Sequence, residues 1–566
     1  MFLVELFIYI GRQLITQSNK PMYKYHENDT KFIDQRHNQF KKQVTRYFDN
    51  ELSEDQFRSL RLRNGIYKEL HAYMLRVLIP YGTLNSEQLN QLGFIADKYD
   101  RGYGHFTTRQ NLQFNWIDLS QINSIIADLA KVDMHAIQSS GKTVRNISAD
   151  PLSGIRKDEV ADARPYCELI RQWFTLHPEF SWLPGKFKIA INGSEDDEIG
   201  IQFNDLGLQL VFNDKHELGF GVYAGGGLGA APMLAPKIKS FVPETDILSY
   251  IESILRIYNL FGRRDNDKRL RIKFLVKKLG VEKFRDLVEK DWLSSKDDDE
   301  IKLNISKLNK IKEDFSIPIK PITSKNKKQR TDFNYAIWKS NNVSDNKVRG
   351  YSIVSVSLSQ IGSAPGNIDS DQLRHLSVLA SKYSLNEVRT TKNQDIVFPY
   401  VKNQDLYELW QQLEMFDLSS PHNSTFAHIV SCPGADYCSL AKAVSIPVSQ
   451  RIHNRFVENG LLFEIGELNL HISGCENSCA HHHVADIGLL GLNKGKEDYY
   501  QITLGGRTKN DTKFGKKVGK AIASVDVVDA VENIVNVYIN NKQQDENFNQ
   551  LFNRIGIKLF KEAVYA

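Results

Sequence analysis

The chain has 566 residues, more than one hydrophobic core usually supports, so several domains are expected. Hydrophobic residues at 41% and charged ones at 25% are ordinary globular values, and no apolar run reaches the roughly 20 residues of a membrane-spanning helix, which sets a membrane aside as partner. A net charge of +5 is too small and too evenly spread for nucleic acid, and suits an anionic substrate or an acidic redox partner.

At the N-terminus, Met1–Ile10 is apolar but short, carries Glu5 and lacks the basic region and cleavage site of a signal peptide, so a cytoplasmic location is expected. Met22 opens an ordinary polar start, and residues 1–21 read as an extension that the functional protein does not need. Ala72–Pro80 is a strand-like apolar run interrupted by Arg76, whose burial is costly unless it faces a charge or a polar cavity. Residues 84–99 form a helical pattern with a polar cap at Asn85. His105–Trp116 reads as one strand whose odd positions, His105, Thr107, Arg109, Asn111, Gln113 and Asn115, share a face. That face is either ordinary half-exposed surface or a ligand-facing one.

Arg145 sits before a turn and says little alone. Leu183–Ile191 is a further strand that places Lys186 and Lys188 on one side, where a shared anion relieves their repulsion and solvent exposure is the plain alternative. Ala224–Ala230 matches a dinucleotide-binding glycine pattern, but Pro232 and Pro236 follow where that pattern needs a helix. It reads as a glycine loop that lets backbone approach a large flat ligand. Residues 317–344, with Pro318, Pro321 and the basic run Lys325–Arg330, read as a linker.

Beyond the linker the first pattern returns. Residues 368–383 align without gaps with residues 84–99, seven of sixteen positions being identical. Thr390-Thr391-Lys392-Asn393 echoes Thr107-Thr108-Arg109-Gln110, and strand Tyr351–Leu358 echoes the strand at Tyr73, with Val354 in the place of Arg76. A strand–helix–strand unit cannot complete a core alone, so the two copies are expected to pair into one pseudo-symmetric domain.

Four of the five cysteines then cluster, as a C-x5-C at Cys432 and Cys438 and a C-x3-C at Cys475 and Cys479. Two loops presenting a thiolate pair each suit an iron–sulfur cube. Zinc is a rival, though its knuckles are usually C-x2-C; two disulfides would need an oxidising compartment; unliganded core thiols, the reading given to Cys167, rarely cluster. His481-His482-His483 lines a cofactor edge or is structural.

Cys432-x5-Cys438, the loop Ser473-Gly-Cys475-Glu-Asn-Ser-Cys479 running into Ala485-Asp-Ile-Gly488, the Thr-Thr-Arg-Gln strand and Leu-Pro-Gly-Lys186-Phe-Lys188 together resemble the siroheme-dependent sulfite and nitrite reductases. The resemblance runs from about Tyr23 to the C-terminus and looks closest to the bacterial sulfite reductase hemoprotein subunit. It implies an α+β fold with a pseudo-two-fold duplication: a central ferredoxin-like domain made from both halves, and two larger α/β domains that bind siroheme and the iron–sulfur cluster. The implied boundaries are an N-terminal arm at 1–59, half-domains at 60–130 and 345–415, large domains at 131–316 and 416–566, and the linker at 317–344.

The resemblance also implies roles. Cys432, Cys438, Cys475 and Cys479 match ligands of a 4Fe–4S cluster, and Cys479 matches the one that also bridges to the siroheme iron. Arg76, Arg145, Lys186 and Lys188 match the basic groups that grip the substrate oxyanion, and Arg109 and Gln113 match contacts to siroheme carboxylates. Asn477 lies in the loop beside the macrocycle, and Arg263, Arg264, Lys268, Arg269, Arg271 and Lys273 offer further cations. Glu476 and Gly185 depart from the family's usual proline and arginine, and Glu476 would lower the cluster's potential if it faced inward. The implied reaction is six-electron reduction of sulfite to sulfide, with reduction of nitrite to ammonia as the alternative and a zinc-stabilised binding protein as the distant one. No flavin or nicotinamide motif is present, so a separate donor is expected: a ferredoxin or flavodoxin, or an NADPH-dependent flavoprotein subunit.

Overall fold

The two copies of the repeat fold into two five-stranded sheets that exchange strands. The computed structural model describes residues 27–297, 303, 305–316, 319–322, 332–462, 465–495 and 497–566, so the segment 1–21 and the basic run Lys325–Arg330 lie outside the described residues. In the first sheet, strands Ile66–Lys68, Tyr73–Val77, Leu112–Ile117 and Tyr103–Phe106 are completed by Asn367–Asp369 from the second half. The second sheet, Val343–Asp345, Tyr351–Val356, Ile396–Lys402 and Val388–Thr390, is completed by Thr83–Leu84 from the first half.

Each borrowed strand leads into the repeated helix, Ser86–Tyr99 or Ser370–Tyr383. Both helices start with a capping box, Asn85 with Gln88 and Asp369 with Gln372, which satisfies two otherwise orphaned amide groups. Their apolar faces, Leu89, Leu92 and Ala96 on one and Leu373, Leu376 and Ala380 on the other, enter a single core shared by the halves. The backbones come close at Gly93, where a Cβ would stand 2.9 Å from the Ser370 carbonyl. The duplication is thus one ferredoxin-like domain built from both halves, within the α+β class read from the sequence.

The two larger domains share a second plan. In one, Ser148–Ala149, Ile189–Asn192 and Leu206–Phe212 run parallel, and Leu218–Ala224 and Lys237–Pro243 continue antiparallel. In the other, Ile429–Ser431, Leu470–Ser473 and Ile487–Lys494 run parallel before Glu497–Leu504 and Lys516–Lys517 turn back. Parallel neighbours need a crossover, supplied here by helices Arg164–Phe174 and Ile446–Glu458. Each domain has its own apolar core. Among the described residues no helix is long and apolar enough to cross a membrane.

Three local expectations change. His105–Trp116 is a hairpin, not one strand: it turns at Thr107–Asn111, where the Thr107 amide donates to the Asn111 carbonyl at 2.8 Å and Gln110 takes a φ of +56°. The stretch read as linker contains helix Phe333–Asn342, whose aromatic Trp338 is buried in the ferredoxin-like core. Within the arm assigned to residues 1–59, helix Glu27–Phe48 packs Phe40 and Val44 into that same core beside Phe57.

Two buried glutamines join the domains. Gln110 Nε2 donates to the carbonyls of Ala149 and Thr390, both at 3.0 Å, and its Oε1 accepts from the Ala149 amide at 3.2 Å. Gln394 Nε2 donates to the Phe106 carbonyl at 3.0 Å, and its Oε1 accepts from the Ser431 amide at 3.1 Å. Gln394→Leu keeps the side-chain bulk and strands the Phe106 and Ser431 groups. It should destabilise the protein by about 1–3 kcal/mol per group left unpaired; urea denaturation with an unchanged midpoint would contradict this.

Candidate functional site

A cleft of about 1380 Å³, including the solvent at its mouth, opens between the three domains. One wall is a face of the first ferredoxin-like sheet. Cross-strand register pairs Tyr67 with Met74, Arg76 with Gln113, and Gln113 with His105, and all of these line the cleft together with Asn115. The odd positions of 105–115 therefore share a surface although the segment turns, because the hairpin keeps Thr107, Arg109 and Asn111 on the same side as the strand residues. Arg76 is held by Gln113, whose Oε1 accepts from Nε at 3.1 Å and from Nη2 at 2.7 Å.

The opposite wall comes from the first large domain. Arg145 donates to main-chain carbonyls, to Ser139 at 2.7 Å and to Gly141 at 2.8 and 3.0 Å. Lys186 and Lys188 precede strand Ile189–Asn192 and both reach the cleft, as their spacing predicts. Asp205, fully buried, fixes this wall: it accepts the Lys188 amide at 2.8 Å and a bidentate pair from Arg271 at 2.6 and 2.7 Å. Arg109 is anchored on the Asn146 carbonyl at 2.6 Å and on Asn204 at 3.3 Å.

Five basic side chains, Arg76, Arg109, Arg145, Lys186 and Lys188, thus line a cleft whose only acidic lining residue among the described residues is Glu69, itself engaged by the Ser439 amide and hydroxyl at 2.8 Å. Desolvation and the neighbouring cations push the Lys186 ammonium down to about 8 and Lys188 well below its ordinary value. Lys186 keeps accessible surface where it lines the cleft.

The four clustered cysteines line the far end of the cleft. Cys432 follows strand Ile429–Ser431, and Cys475 follows the adjacent parallel strand Leu470–Ser473, so both stand at carboxyl ends of parallel strands, where such sheets place their ligands. The Gly474 amide donates to Cys432 Sγ at 3.2 Å. Burial pushes the Cys432 thiol up to about 11 and Cys438 to about 12, and also raises Cys475. The Cys479 carbonyl accepts from Thr108 Oγ1 at 2.5 Å, which ties the cysteine loop to the hairpin turn carrying Arg109. All five cysteines are free thiols, and among the described residues no three Cys, His, Asp or Glu side chains gather closely enough for a single metal ion.

The first large domain offers no such thiols. Asp150 follows its strand Ser148–Ala149 as Cys432 follows Ile429–Ser431, and Ser194 stands two residues beyond Ile189–Asn192 as Cys475 stands beyond Leu470–Ser473. Asp150 is paired with Arg156 at 3.2 Å, and Ser194 Oγ lies 3.4 Å from Asp150. One copy of the plan thus carries the clustered thiols, and the other supplies cations.

The residues fit a polycarboxylate macrocycle beside a cluster. Its lining carries a surplus of positive charge, and four thiols meet it.

Sequence profiles agree with this geometry. The profile described as the nitrite and sulphite reductase 4Fe-4S domain matches residues 140–296 and 424–566, and that of the nitrite/sulfite reductase ferredoxin-like half domain matches residues 67–132 and 357–416. The chain belongs to the nitrite and sulfite reductase family. It is 26% identical over 494 residues to sulfite reductase (ferredoxin) 2 of Mycolicibacterium paratuberculosis, covering 85% of this chain and 82% of that one. It is 27% identical over 485 residues to the chloroplastic ferredoxin–nitrite reductase of Arabidopsis thaliana, covering 82% and 75%. The structure of the Mycobacterium tuberculosis NirA protein has the same fold, with a TM-score of 0.75 and 24% identity over 91% of this chain and 92% of that one. As a member of this oxidoreductase family the protein takes siroheme and a 4Fe–4S cluster as cofactors.

Every site residue named from the sequence lines this one cleft: Arg76, Arg109, Gln113, Arg145, Lys186, Lys188, Asn477 and the four cysteines. Of the additional cations, Arg271 is paired with Asp205, and Lys273 donates to the carbonyls of Gly227, Leu228 and Ala231 at 3.3, 2.8 and 2.6 Å. The glycine loop is absent from the cleft lining and packs instead on the cysteine loop, where Gly229 meets the Glu476 backbone. Glu476 is exposed, so water screens its charge. Of the three histidines, His481 lines the cleft, His483 Nε2 lies 3.1 Å from the Gly229 carbonyl, and His482 is buried.

Asn111 and His481 belong to the alternating face and the histidine run that the sequence offers as ligand-facing, whereas nothing in the sequence singles out Tyr67. Tyr67 lies on a three-residue strand, too short to show a period, and only its register against Met74 reveals its face. Replacing Cys432, Cys438, Cys475 or Cys479 singly by Ser should remove most protein-bound iron and acid-labile sulfide, whereas Cys167→Ser, in the core of the first large domain, should leave both unchanged.

Proposed function

We propose that this protein reduces sulfite to sulfide, taking electrons from a separate ferredoxin-class donor. The observation that carries this reading is the surplus of five basic side chains over one carboxylate in the cleft, which suits a doubly charged oxyanion in addition to the carboxylates of the cofactor. The relatives' names, sulfite reductase (ferredoxin) and ferredoxin–nitrite reductase, support the donor class and leave nitrite, reduced to ammonia, as the second substrate reading.

In this reading Cys432, Cys438, Cys475 and Cys479 would hold the cluster, and Cys479 would also serve the siroheme. Arg109 and Asn477 hold the macrocycle together with the Gln113 amide nitrogen, which has no protein partner among the described residues. When bound, siroheme and the cluster would supply the electrons for the reduction. Arg76, Arg145, Lys186 and Lys188 bind and neutralise the oxyanion, and they polarise each S–O bond toward cleavage. Six electrons and six protons turn hydrogensulfite into hydrogensulfide and three waters. The lysines can donate protons, since arginine stays charged throughout.

Lys188→Met should lower turnover about 100-fold, the lower end of general-acid effects, with the visible spectrum of the holoprotein unchanged; undiminished turnover would remove Lys188 from proton delivery. Lys186 is charged below a value of about 8, so the KM for the anion should rise as the pH passes upward through it. Anaerobic turnover with a reduced viologen decides the substrate. A higher kcat/KM for sulfite supports this reading, and a higher one for nitrite overturns it in favour of nitrite reduction.

A further inference from the structure

We propose that the Tyr67 hydroxyl is a catalytic proton donor at the basic end of the cleft, acting beside Lys186 and Lys188. The inference rests on the proposed reduction of an oxyanion, because that reaction consumes two protons for every oxygen removed as water.

Tyr67 lies on the cleft face of strand Ile66–Lys68, on the same surface as Met74 and Arg76. The Arg76 guanidinium sits over its ring, 5.0 Å from the centroid, and Nη1 donates to the Tyr67 hydroxyl at 3.4 Å. From the facing domain Arg145 and Lys186 bring further positive charge, and the Ser140 hydroxyl lies within reach. The hydroxyl is therefore placed beside three of the four basic groups assigned to the oxyanion, Arg76, Arg145 and Lys186, and the carboxylate nearest in sequence, Glu69, is occupied by Ser439.

These neighbours change the acidity of the phenol. Burial raises tyrosines elsewhere in the molecule, including Tyr103, Tyr166, Tyr250 and Tyr258. Tyr67 is subject to the same burial, but Arg76, Arg145, Ser140 and Lys186 overcome it and bring the group down to about 8. An acid with a value close to the working pH is mostly protonated and still transfers its proton readily.

The step balances as follows. The Tyr67 O–H bond breaks and an O–H bond forms on an oxygen of the bound anion. The phenolate is neutralised by Arg76 and Arg145 and takes a proton back from water in the cleft. A second proton reaches the same oxygen from Lys186 or Lys188, and the oxygen leaves as water as two electrons from the donor enter the substrate.

Tyr67→Phe tests this in the holoenzyme, since it keeps the ring beneath Arg76 and removes only the hydroxyl. We expect kcat to fall about 100-fold, with KM changed less than about twofold and siroheme and iron contents unchanged. In the near ultraviolet, wild-type protein should show one tyrosine ionising near pH 8 that Tyr67→Phe lacks, a readout independent of turnover. Site-specific incorporation of 3-fluorotyrosine at position 67 should move the alkaline limb of kcat to lower pH, which a limb governed by lysine would not do. Undiminished kcat in Tyr67→Phe, a loss confined to KM, or no tyrosine ionising below pH 10 would overturn the proposal. If wild-type holoenzyme reduces neither sulfite nor nitrite, the functional reading fails and this proposal with it; an active wild type beside an unimpaired Tyr67→Phe overturns this proposal alone.

Discussion

Two buried amides hold the site in register. Gln110 and Gln394 sit at equivalent hairpin turns of the duplicated ferredoxin-like domain, both with positive φ. Each extends its side chain to the first parallel strand of a large domain and to backbone of the opposite half. A primary amide can donate and accept at once, and in a dry interface each such bond is electrostatically strong and expensive to leave unmade. Gln394 binds the Ser431 amide, and the next residue is Cys432. Gln110 binds Ala149, and the residue before it in sequence is Arg109, which lines the cleft. The spacing between thiols and cations across the cleft therefore depends on these two side chains.

The cleft stores unbalanced charge, and the fold places its counter-charges behind the wall. Asp205 receives the Lys188 amide and the Arg271 guanidinium but leaves the lysine ammonium groups to the cleft. Arg76 and Arg145 are held by an amide and by main-chain carbonyls, which orient a guanidinium without neutralising it. Concentrated positive charge costs stability until an anion arrives, so the cleft favours anionic occupants. Duplication made the arrangement economical in parts. One copy of the larger domain carries cysteines at its strand ends, and the other, with Asp150 and Ser194 there, presents lysines from the opposite ends of its strands.

Much of this was legible in the chain. The cysteine spacing is a local signal, since each pair occupies one loop, and the repeated helix is marked by its cap and its apolar spacing. The alternation over residues 105–115 gave the correct face even though the segment bends, because a tight hairpin preserves the side on which alternate residues point. Helix Phe333–Asn342 was hidden by the prolines and basic run before it, and Trp338 was the sign that this segment is packed. Tyr67 could not be read, because three residues of strand carry no period and its role depends on register with Met74.

The sequence by itself determined the family and marked the clustered cysteines and the basic residues that line the cleft, because these are properties of residue type at short spacing. The tertiary structure alone decided that Arg76, Arg145, Lys186 and Lys188 face one volume, that Gln113 orients Arg76, that Asp205 and Arg271 neutralise each other behind the wall, and that Tyr67 joins the cations. Those relations link residues far apart in the chain, and only strand exchange, sheet register and the buried glutamine contacts bring them within a few ångströms.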